Sequence, residues 1–598
     1  NEVVVHPEED WEVKVPISPD VKRNLICHDV LEEGDVEAEF AKCKYVIEET
    51  YLTKANQQTM METFRAYTYK DAYGRLVCVA STQVPFHVRR ILATALDTSK
   101  SNIRVVKPRI GGGFGAKQSV INEIFPALVT WKTGKPAKII YDRKETFTCT
   151  TSRHAMKLNV KVGADKDGTI KVIDIDALSD TGAYGEHAST TFGLVGEKTM
   201  PMYGKLNAAR FKGNVVYTNK TPAGAFRGYG ATQGCFAVES TINKLAAKLN
   251  MDPVDVRLKN IIKEGETSPA YNKELNSVAL DRCIKKGKEL IKWDEKYPYK
   301  EISPTKVRSV GMALTMQGSG IAGIDTASIE IKLNDDGNYT LLTGSTDMGT
   351  GSDTILAQMC AEVLETTMDK IVVNSADTDS SPYDPGSYAS STTYVTGMAV
   401  VKAATELKNK IVSLGAQRLE LSEDFVEFDG EYVKSINKDK EISVLDLAID
   451  MSVGCNKNQL IGYATHGSPV SPPPFIAGFV ETEIDKETGK VEIIDYVAVV
   501  DCGTVINKNL AKIQVEGGIV QGIGMALYED VVYTQRGELA SNTFMQYKMP
   551  TRKDVGNIIV DFEESYEPTG PFGAKSVGEV VVNTPSPAIE NAIYNGLG

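Results

Sequence analysis

Apolar and polar positions alternate along this chain in short regular runs, first at strand spacing and then at helix spacing. Leu76-Val77-Cys78-Val79-Ala80 and Ile103-Arg104-Val105-Val106 read as strands. Between Ser119 and Trp131 apolar residues recur at helical spacing, which predicts a helix. Val160 to Ala177 reads as a hairpin turning at Lys166-Asp167-Gly168. Residues 232–249 and 279–293 read as helices. The pattern then dissolves into Tyr297-Pro298-Tyr299 and Ser303-Pro304, so the main boundary is placed between 294 and 307. The second half repeats the style. Ala327 to Leu333 alternates as a strand, Asp335-Asp336-Gly337-Asn338 turns, and Tyr339 to Leu342 returns. Thr354 to Leu364 and Met398 to Leu414 read as helices, and a hairpin over 479–500 turns at Glu487-Thr488-Gly489. Three strand-like runs end in Asp-x-Gly, at Asp180-Thr181-Gly182, Asp347-Met348-Gly349 and Asp501-Cys502-Gly503. An aspartate that bonds its own turn explains each one singly, and internal duplication is the other reading.

Composition narrows the class. A chain of 598 residues with 42% hydrophobic content holds several domains or two large ones. A net charge of −13 opposes nucleic acid or an anionic membrane as partner. No apolar run reaches the roughly 18 residues of a membrane span. The chain opens at Asn1 without a leader and stops at Gly598 within an expected helix, so a fragment or processed piece is expected. Nine cysteines without a Cys-x-x-Cys pair argue against a zinc or iron–sulfur site built from this chain alone. They equally oppose a disulfide framework, which leaves reduced thiols and a cytoplasmic setting. The six histidines, from His6 to His466, show no ligand spacing.

The candidate chemistry lies in glycine-rich loops. Gly111-Gly112-Gly113-Phe114-Gly115-Ala116 fits G-x-G-x-x-G/A between a strand and an expected helix, as an NAD-dependent dehydrogenase would have it. Asp142 closes a later strand-like run, beyond the about 20 residues expected for a ribose-binding acid. Two preceding strands and the recurrence of similar loops weaken that reading. The others are Ala225-Phe226-Arg227-Gly228-Tyr229-Gly230, Gln514-Val515-Glu516-Gly517-Gly518 and Gly573 to Gly578. Glycine lets backbone approach a ligand, and helix N-termini suit phosphate. Gln83, Gln118, Gln233, Gln514 and Gln521 stand in or beside these loops. Each amide donates and accepts, so it can match a heterocycle's edge, or it is simply a solvated loop residue. Arg227 could hold an oxyanion or form a surface salt bridge. Glu579, before Val580-Val581-Val582, would be desolvated into a general base, or would serve the dipole of a helix from about Ser586.

Taken in order, these segments resemble the molybdenum-binding subunit of the xanthine dehydrogenase and aldehyde oxidase family. The resemblance covers nearly the whole chain. It rests on Ser81-Thr82-Gln83, Gly111 to Lys117, Ser152-Arg153-His154, Asp180 to Tyr184 and Ala225 to Gly230. It continues through Asp347-Met348-Gly349, Asp501-Cys502-Gly503, Gln514 to Gly524 and Gly573 to Glu579. It implies an α+β fold of two large mixed α/β domains, 1–300 and 301–598, with a molybdenum–pyranopterin pocket between them. Gln83 would contact a metal oxo group, and backbone at Gly113, Phe114 and Gly115 would lie over the metal. Ala225-Phe226-Arg227 would touch the metal site. Ala389-Ser390-Ser391 and Gln514 would bind the pterin, with Gln83, Phe114, Arg227 and Ala389 near molybdenum without ligating it. Glu579 would be the base for inserting a water-derived oxygen at an electron-poor carbon of an N-heterocycle or aldehyde. Here the cofactor carries the hard chemistry and the protein positions it.

Departures touch the substrate pocket. Purine-oxidising members carry glutamate where this chain has Gln118, and arginine at the position aligned with Val195. Tyr229 supplies one of their two ring-sandwiching aromatics, while the other aligns with Leu314, beside Thr315. Losing those groups removes the polar readout of a purine. Thr350 stands where many relatives have a glutamine near the metal. The family's small N-terminal α/β domain has no counterpart here, and the second domain reads as truncated at its C-terminus. The resemblance assigns [2Fe–2S] clusters and FAD to partner subunits, expects the cytosine dinucleotide form of the pterin, and permits a homo-oligomer. A catalytically silent scaffold is the remaining alternative.

Overall fold

The computed structural model describes residues 24–454 and 457–598, so His6 and Cys455 lie outside the described residues. Two five-stranded sheets organise the chain. The first runs Leu25–Glu33, Ala208–Val216, Ile170–Asp180, Ala155–Ala164, Tyr45–Thr53. The second runs Tyr299–Ser303, Lys306–Met316, Phe475–Asp485, Val491–Asp501, Asn557–Phe562. Each is built on a long antiparallel hairpin, registered Ala155↔Asp180 in one and Phe475↔Asp501 in the other. In each the second hairpin strand pairs parallel with a later strand, 208–216 or 557–562. In each the first hairpin strand pairs antiparallel with an earlier one, 45–53 or 306–316. Period-two alternation explains the packing: Leu158, Val160 and Val162 all point into the core and are fully buried.

The likeness extends to helices. Ala231–Leu249 packs on strands 45–53 and 155–164, and Pro585–Leu597 packs on strands 306–316 and 475–485. The two helices lie side by side in the same direction. Hydrogen bonds join positions 351 or 352 apart along that seam: Thr232 Oγ1 donates to Asn583 Oδ1 at 2.8 Å and Asn243 Nδ2 to Asn595 Oδ1 at 3.1 Å. Asp180 and Asp501 close equivalent hairpin strands. Each accepts the amide two residues on, from Gly182 at 2.9 Å and Gly503 at 3.0 Å, both glycines having positive φ. Asp347 makes the same turn with Gly349, but it follows Tyr339–Thr343, a strand of a different sheet. Two of the three Asp-x-Gly sites therefore belong to a structural repeat and the third does not.

Two smaller layers complete the fold. A mixed sheet ordered Ile103–Val106, Leu76–Ala80, Arg65–Lys70, Ala137–Ile140 meets a second ordered Ile371–Ser375, Tyr339–Thr343, Thr326–Leu333, Ile461–Gly467. They join through Val105 and Thr378, whose amides are each bonded by the other residue, and through the ion pair Arg104–Asp377 at 2.5 Å. This contact carries the loop at 111–115 to Met348, whose carbonyl accepts from Gly112 N at 3.2 Å.

Strands on the two sides of residues 294–307 share no sheet among the described residues. The core does cross that stretch: Leu245, Trp293 and Phe479 belong to one continuous apolar cluster. The Leu280–Ile291 helix packs on strands 475–485 and 491–501, and a Cβ at Gly287 would fall 2.3 Å from the Phe479 ring.

The helix expected over 119–131 is displaced. It runs Ile124–Thr133, and a single 3-10 turn, Ala116–Gln118, follows the glycine loop. The cause is Glu123, whose carboxylate accepts the amides of Ile121 and Asn122 and turns the chain before the helix opens. No α-helix N-terminus therefore stands at Ala116 to hold a pyrophosphate, and the dinucleotide reading of that loop is overturned.

Candidate cofactor and substrate site

The glycine loop is held where it is by side chains that meet it from three directions. Gln83 Oε1 accepts Gly115 N at 3.0 Å, and Gln83 Nε2 donates to Ser387 O at 2.8 Å. Its amide is thereby oriented across the join between the two smaller layers. A Cβ at Gly113 would fall 2.4 Å from Gln83 Oε1, so any larger residue would push the Gln83 amide out of its hydrogen bonds. Gly115 has φ +102°, and its Cβ would meet the Ala225 carbonyl at 2.8 Å. Glycine is thus what lets loop 113–115 lie directly on Ala225-Phe226-Arg227. Arg227 N donates to Phe114 O at 2.8 Å, and Gln58 Nε2 donates to Ala225 O at 2.7 Å. Beneath the loop, buried Lys117 pairs with Glu62 at 2.9 Å.

Arg153 braces the second loop. Its guanidinium donates to Tyr229 O at 2.8 Å and Arg227 O at 2.7 Å, and lies 4.2 Å from the Phe226 ring centroid. Phe114, Tyr229, Ala389 and Ser390 all adopt positive φ. Such backbone costs of order 1–3 kcal/mol per non-glycine residue and gathers at ligand clamps.

Glu579 is 9% exposed and faces these loops. Gly228 N donates to its Oε1 at 3.3 Å and Ser390 Oγ to its Oε2 at 2.9 Å. Burial pushes its carboxyl above the ordinary range, against the opposing pull of Ser390, Gly228 and the Arg227 cation. A short 3-10 turn, Val580–Val582, separates it from the Pro585–Leu597 helix, so it does not serve that helix's dipole.

Arg227 lies beside it. Its Nε donates to Gly578 O, its Nη1 to Gln521 Oε1 at 3.3 Å, and its Nη2 to Gln514 O at 3.1 Å and Oε1 at 3.2 Å. Gln514 and Gln521 thus hold the arginine from the Lys508–Leu527 helix rather than presenting free edges. Gln233 is a structural residue, donating to His154 O at 2.9 Å. Burial draws the Arg227 guanidinium down to about 10, so it stays charged at neutral pH.

Among the described residues Arg227 has no ion-pair partner within salt-bridge distance, only neutral acceptors. A buried cation so held fits an anionic organic group. Thr346 Oγ1 is also buried without a partner. Ser391 lies at the base of the Ala389-Ser390-Ser391 turn, its amide bonded to Tyr388 O at 3.0 Å. Thr350, half-buried, gives its amide to Asp347 Oδ1 at 3.0 Å.

A cavity of about 700 Å³ opens onto Glu579, Ala389, Tyr229, Leu194, Lys198 and Gln317. A second, of about 620 Å³, is lined by Gln118, His87, His187 and Tyr388 and shares Tyr229 with the first. Tyr229 OH donates to Gln118 Oε1 at 2.7 Å, so the pair forms the wall between them. Leu314 and Thr315 are not brought to either cavity. Both are fully buried on strand 306–316; Leu314 N bonds Glu239 at 2.9 Å, and Thr315 Oγ1 contacts Cys235 Sγ at 2.8 Å. Val195 is likewise in the core. Lys198, Lys273 and Gln317 line the first cavity and were not foreseen. The one available signal was the Glu197-Lys198 pair ending an otherwise uncharged run.

Comparison with known proteins agrees with this geometry. A family model described as a molybdopterin cofactor-binding domain matches residues 17–261, and a second so described matches 286–556. A putative xanthine dehydrogenase molybdenum-binding subunit of Escherichia coli K12 is 34% identical over 96% of this chain and 78% of its own length. A probable hypoxanthine oxidase of Escherichia coli O157:H7 is 34% identical over 98% of this chain, which spans 62% of that protein. Among solved structures, quinoline 2-oxidoreductase from Pseudomonas putida 86 superposes with TM-score 0.90 at 24% identity, covering 96% of this chain and 76% of its own. The aldehyde oxidoreductase of Desulfovibrio desulfuricans does so with TM-score 0.84 at 26%, covering 96% and 62%. The chain therefore belongs to the xanthine dehydrogenase and aldehyde oxidase family of molybdopterin-dependent oxidoreductases, as a molybdenum-binding subunit of two large α+β domains.

Proposed function

We propose that this chain is the catalytic subunit of a hydroxylase that inserts a water-derived oxygen at an electron-poor carbon of a small N-heterocycle or an aldehyde. The observation that carries it is Glu579, a buried carboxylate with a raised pKa at the wall of a large cavity, touching two of the glycine-rich loops' anchors. When bound, the molybdenum–pyranopterin supplies the transferable oxygen and accepts the electron pair. Glu579 takes up the proton that must leave that oxygen as it attacks carbon. Ser390 and Gly228 fix the carboxylate's direction. Gln83, Phe114, Arg227, Ala389 and the backbone of Gly113 and Gly115 would border the metal, while Ala389-Ser390-Ser391 and Gln514 would lie against the pterin, whose negative charge the buried Arg227 guanidinium would offset.

Tyr229 and Gln118 form the ring-facing wall. A neutral amide in place of an acid favours rings other than a purine. The relatives named as subunits support partner chains, to which we assign the [2Fe–2S] clusters, the FAD and the onward transfer of electrons. We place the cofactor in its cytosine dinucleotide form, the complex in the cytoplasm, and the division between the two domains near residue 300. Among the described residues no helix is long and apolar enough to cross a membrane.

The test is Glu579→Gln in the complete complex. Loss of at least about 10³-fold in kcat with molybdenum content retained is expected, near the upper end of general-base effects. Full turnover by a molybdenum-replete variant would remove Glu579 from the reaction. Absence of turnover by the wild-type complex on every heterocycle and aldehyde supplied would leave the scaffold reading in its place.

A further inference from the structure

The cavity beside Glu579 contains charge that the proposed reaction does not use. Lys198 lies at its wall with only 7% of its side chain exposed, and its Nζ pairs with Glu197 Oε1 at 2.7 Å. Lys273 reaches the same oxygen at 3.7 Å from the Lys273–Leu275 strand. Two ammonium groups thus share one carboxylate oxygen, that of Glu197, whose side chain is 38% exposed. Among the described residues no other acid on the wall comes within ion-pair distance of either ammonium, although Glu579 feels the Lys198 charge. Glu567 is occupied by Ser277 Oγ at 2.6 Å and by Thr569 N and Oγ1. Glu579 is taken by Ser390 and Gly228. Glu274 points to solvent. Next to Lys198, where a Cβ on Gly318 would come within 3.2 Å of Nζ, stands Gln317, 3% exposed, whose Oε1 has no partner.

We propose that Lys198 and Lys273, with the Gln317 amide, form a subsite for a carboxylate on the substrate, so that this enzyme selects anionic ring substrates and uses the charge to present the reacting carbon to Glu579. The inference rests on the reaction assigned above and names its substrate class. A substrate carboxylate would give the two ammonium groups a second partner beside the one oxygen they share, and the Gln317 oxygen would accept a ring or side-chain N–H. Burial and the adjacent Lys198 cation pull the Lys273 ammonium down to about 7, the strain an incoming anion would relieve. A cavity of about 700 Å³ takes a one- or two-ring acid.

Matched pairs on the complete complex test this: pyridine-3-carboxylate against its amide, and 4-carboxybenzaldehyde against benzaldehyde. Wild type should favour the anion in kcat/KM. Lys198→Met and Lys273→Met should each cut the anion-to-neutral ratio by about tenfold to a hundredfold, the range for a lost hydrogen bond to a charged group. Lys273, 18% exposed and outside the contacts of Glu579, serves if the Lys198 variant misfolds. Calorimetric titration with benzoate and benzamide reads the subsite without turnover. Tighter benzoate binding that Lys273→Met abolishes supports the subsite even in a complex that oxidises nothing. Equal binding of the two, or ratios untouched by either substitution, overturns it.

Discussion

A carboxylate forced out of water is more useful and less comfortable, and Glu579 shows both sides. Its raised pKa means that the folded chain prefers its neutral form. Ionisation above that pKa therefore costs folding free energy, and the group's favourable contribution is present at acid pH and lost as pH rises through the shifted value. Glu579→Gln should thus melt no lower than wild type near neutrality, with the difference vanishing in acid; calorimetry across pH checks it. Turnover should fall on the acid side of a pKa above the ordinary glutamate range, and a pH profile of kcat/KM with no such limb would contradict the assignment. The glycines make a second prediction. Gly115→Ala combines positive φ with a 2.8 Å approach to the Ala225 carbonyl. It should lower bound molybdenum by metal analysis before it lowers helix content by circular dichroism. Much of this was legible in the residues themselves, since a lone acid beside apolar neighbours and glycine-rich loops carry their chemistry locally. The glutamines were not. Gln514 and Gln521 read as free edges, yet both are spent on Arg227, a partner 287 and 294 positions away that no local pattern reports.

At the scale of elements, the turn carrying Glu579 is pinned from beneath. Lys575 and Asp501 are a fully buried pair at 2.9 Å, and Lys575 also donates to Ser277 O at 3.0 Å. Asp501 accepts from Ala279 N and Ser565 Oγ as well. Removing one partner of such a pair strands a charge in the interior and costs about 3–5 kcal/mol. Lys575→Met should be destabilised by that amount in denaturant titration, and Asp501→Asn in the same chain should recover part of it. A double-variant loss equal to the sum of the two single losses would mean the pair is not coupled. The hairpins and long helices were foreseen because period-two and helical patterns persist over ten or more residues. The 119–123 segment was not, because Glu123 overrides an apolar rhythm by bonding amides two and one residues before it.

For the whole molecule, no sheet spans 294–307 among the described residues, but the core does. Leu245, Trp293 and Phe479 pack in one cluster, and a helix from one side lies on a sheet from the other. A chain built so should unfold in one calorimetric transition; two well-separated transitions would show that the halves are independent bodies. The repeated sheet-and-helix unit was hinted at by the recurring Asp-x-Gly turns, but its extent was not readable, since its two copies share geometry and turn chemistry rather than a sequence period.

That repeat has a consequence for how the base came to be alone. Gly228 gives its amide to Glu579 across the seam at the same 351-residue offset that relates Thr232 to Asn583. The two positions face each other across the seam. Were they identical acids, two carboxylates would confront each other with no room for either proton to be shared productively. Were they both glycine, there would be no acid at all. The asymmetry is enforced on one side by backbone: Gly228 has φ +85°, and a Cβ there would strike Asn583 Oδ1 at 2.4 Å. A bare amide on one side of the seam thus serves as the docking point for the acid on the other, and a second acid at 228 is shut out by the backbone that makes that docking possible.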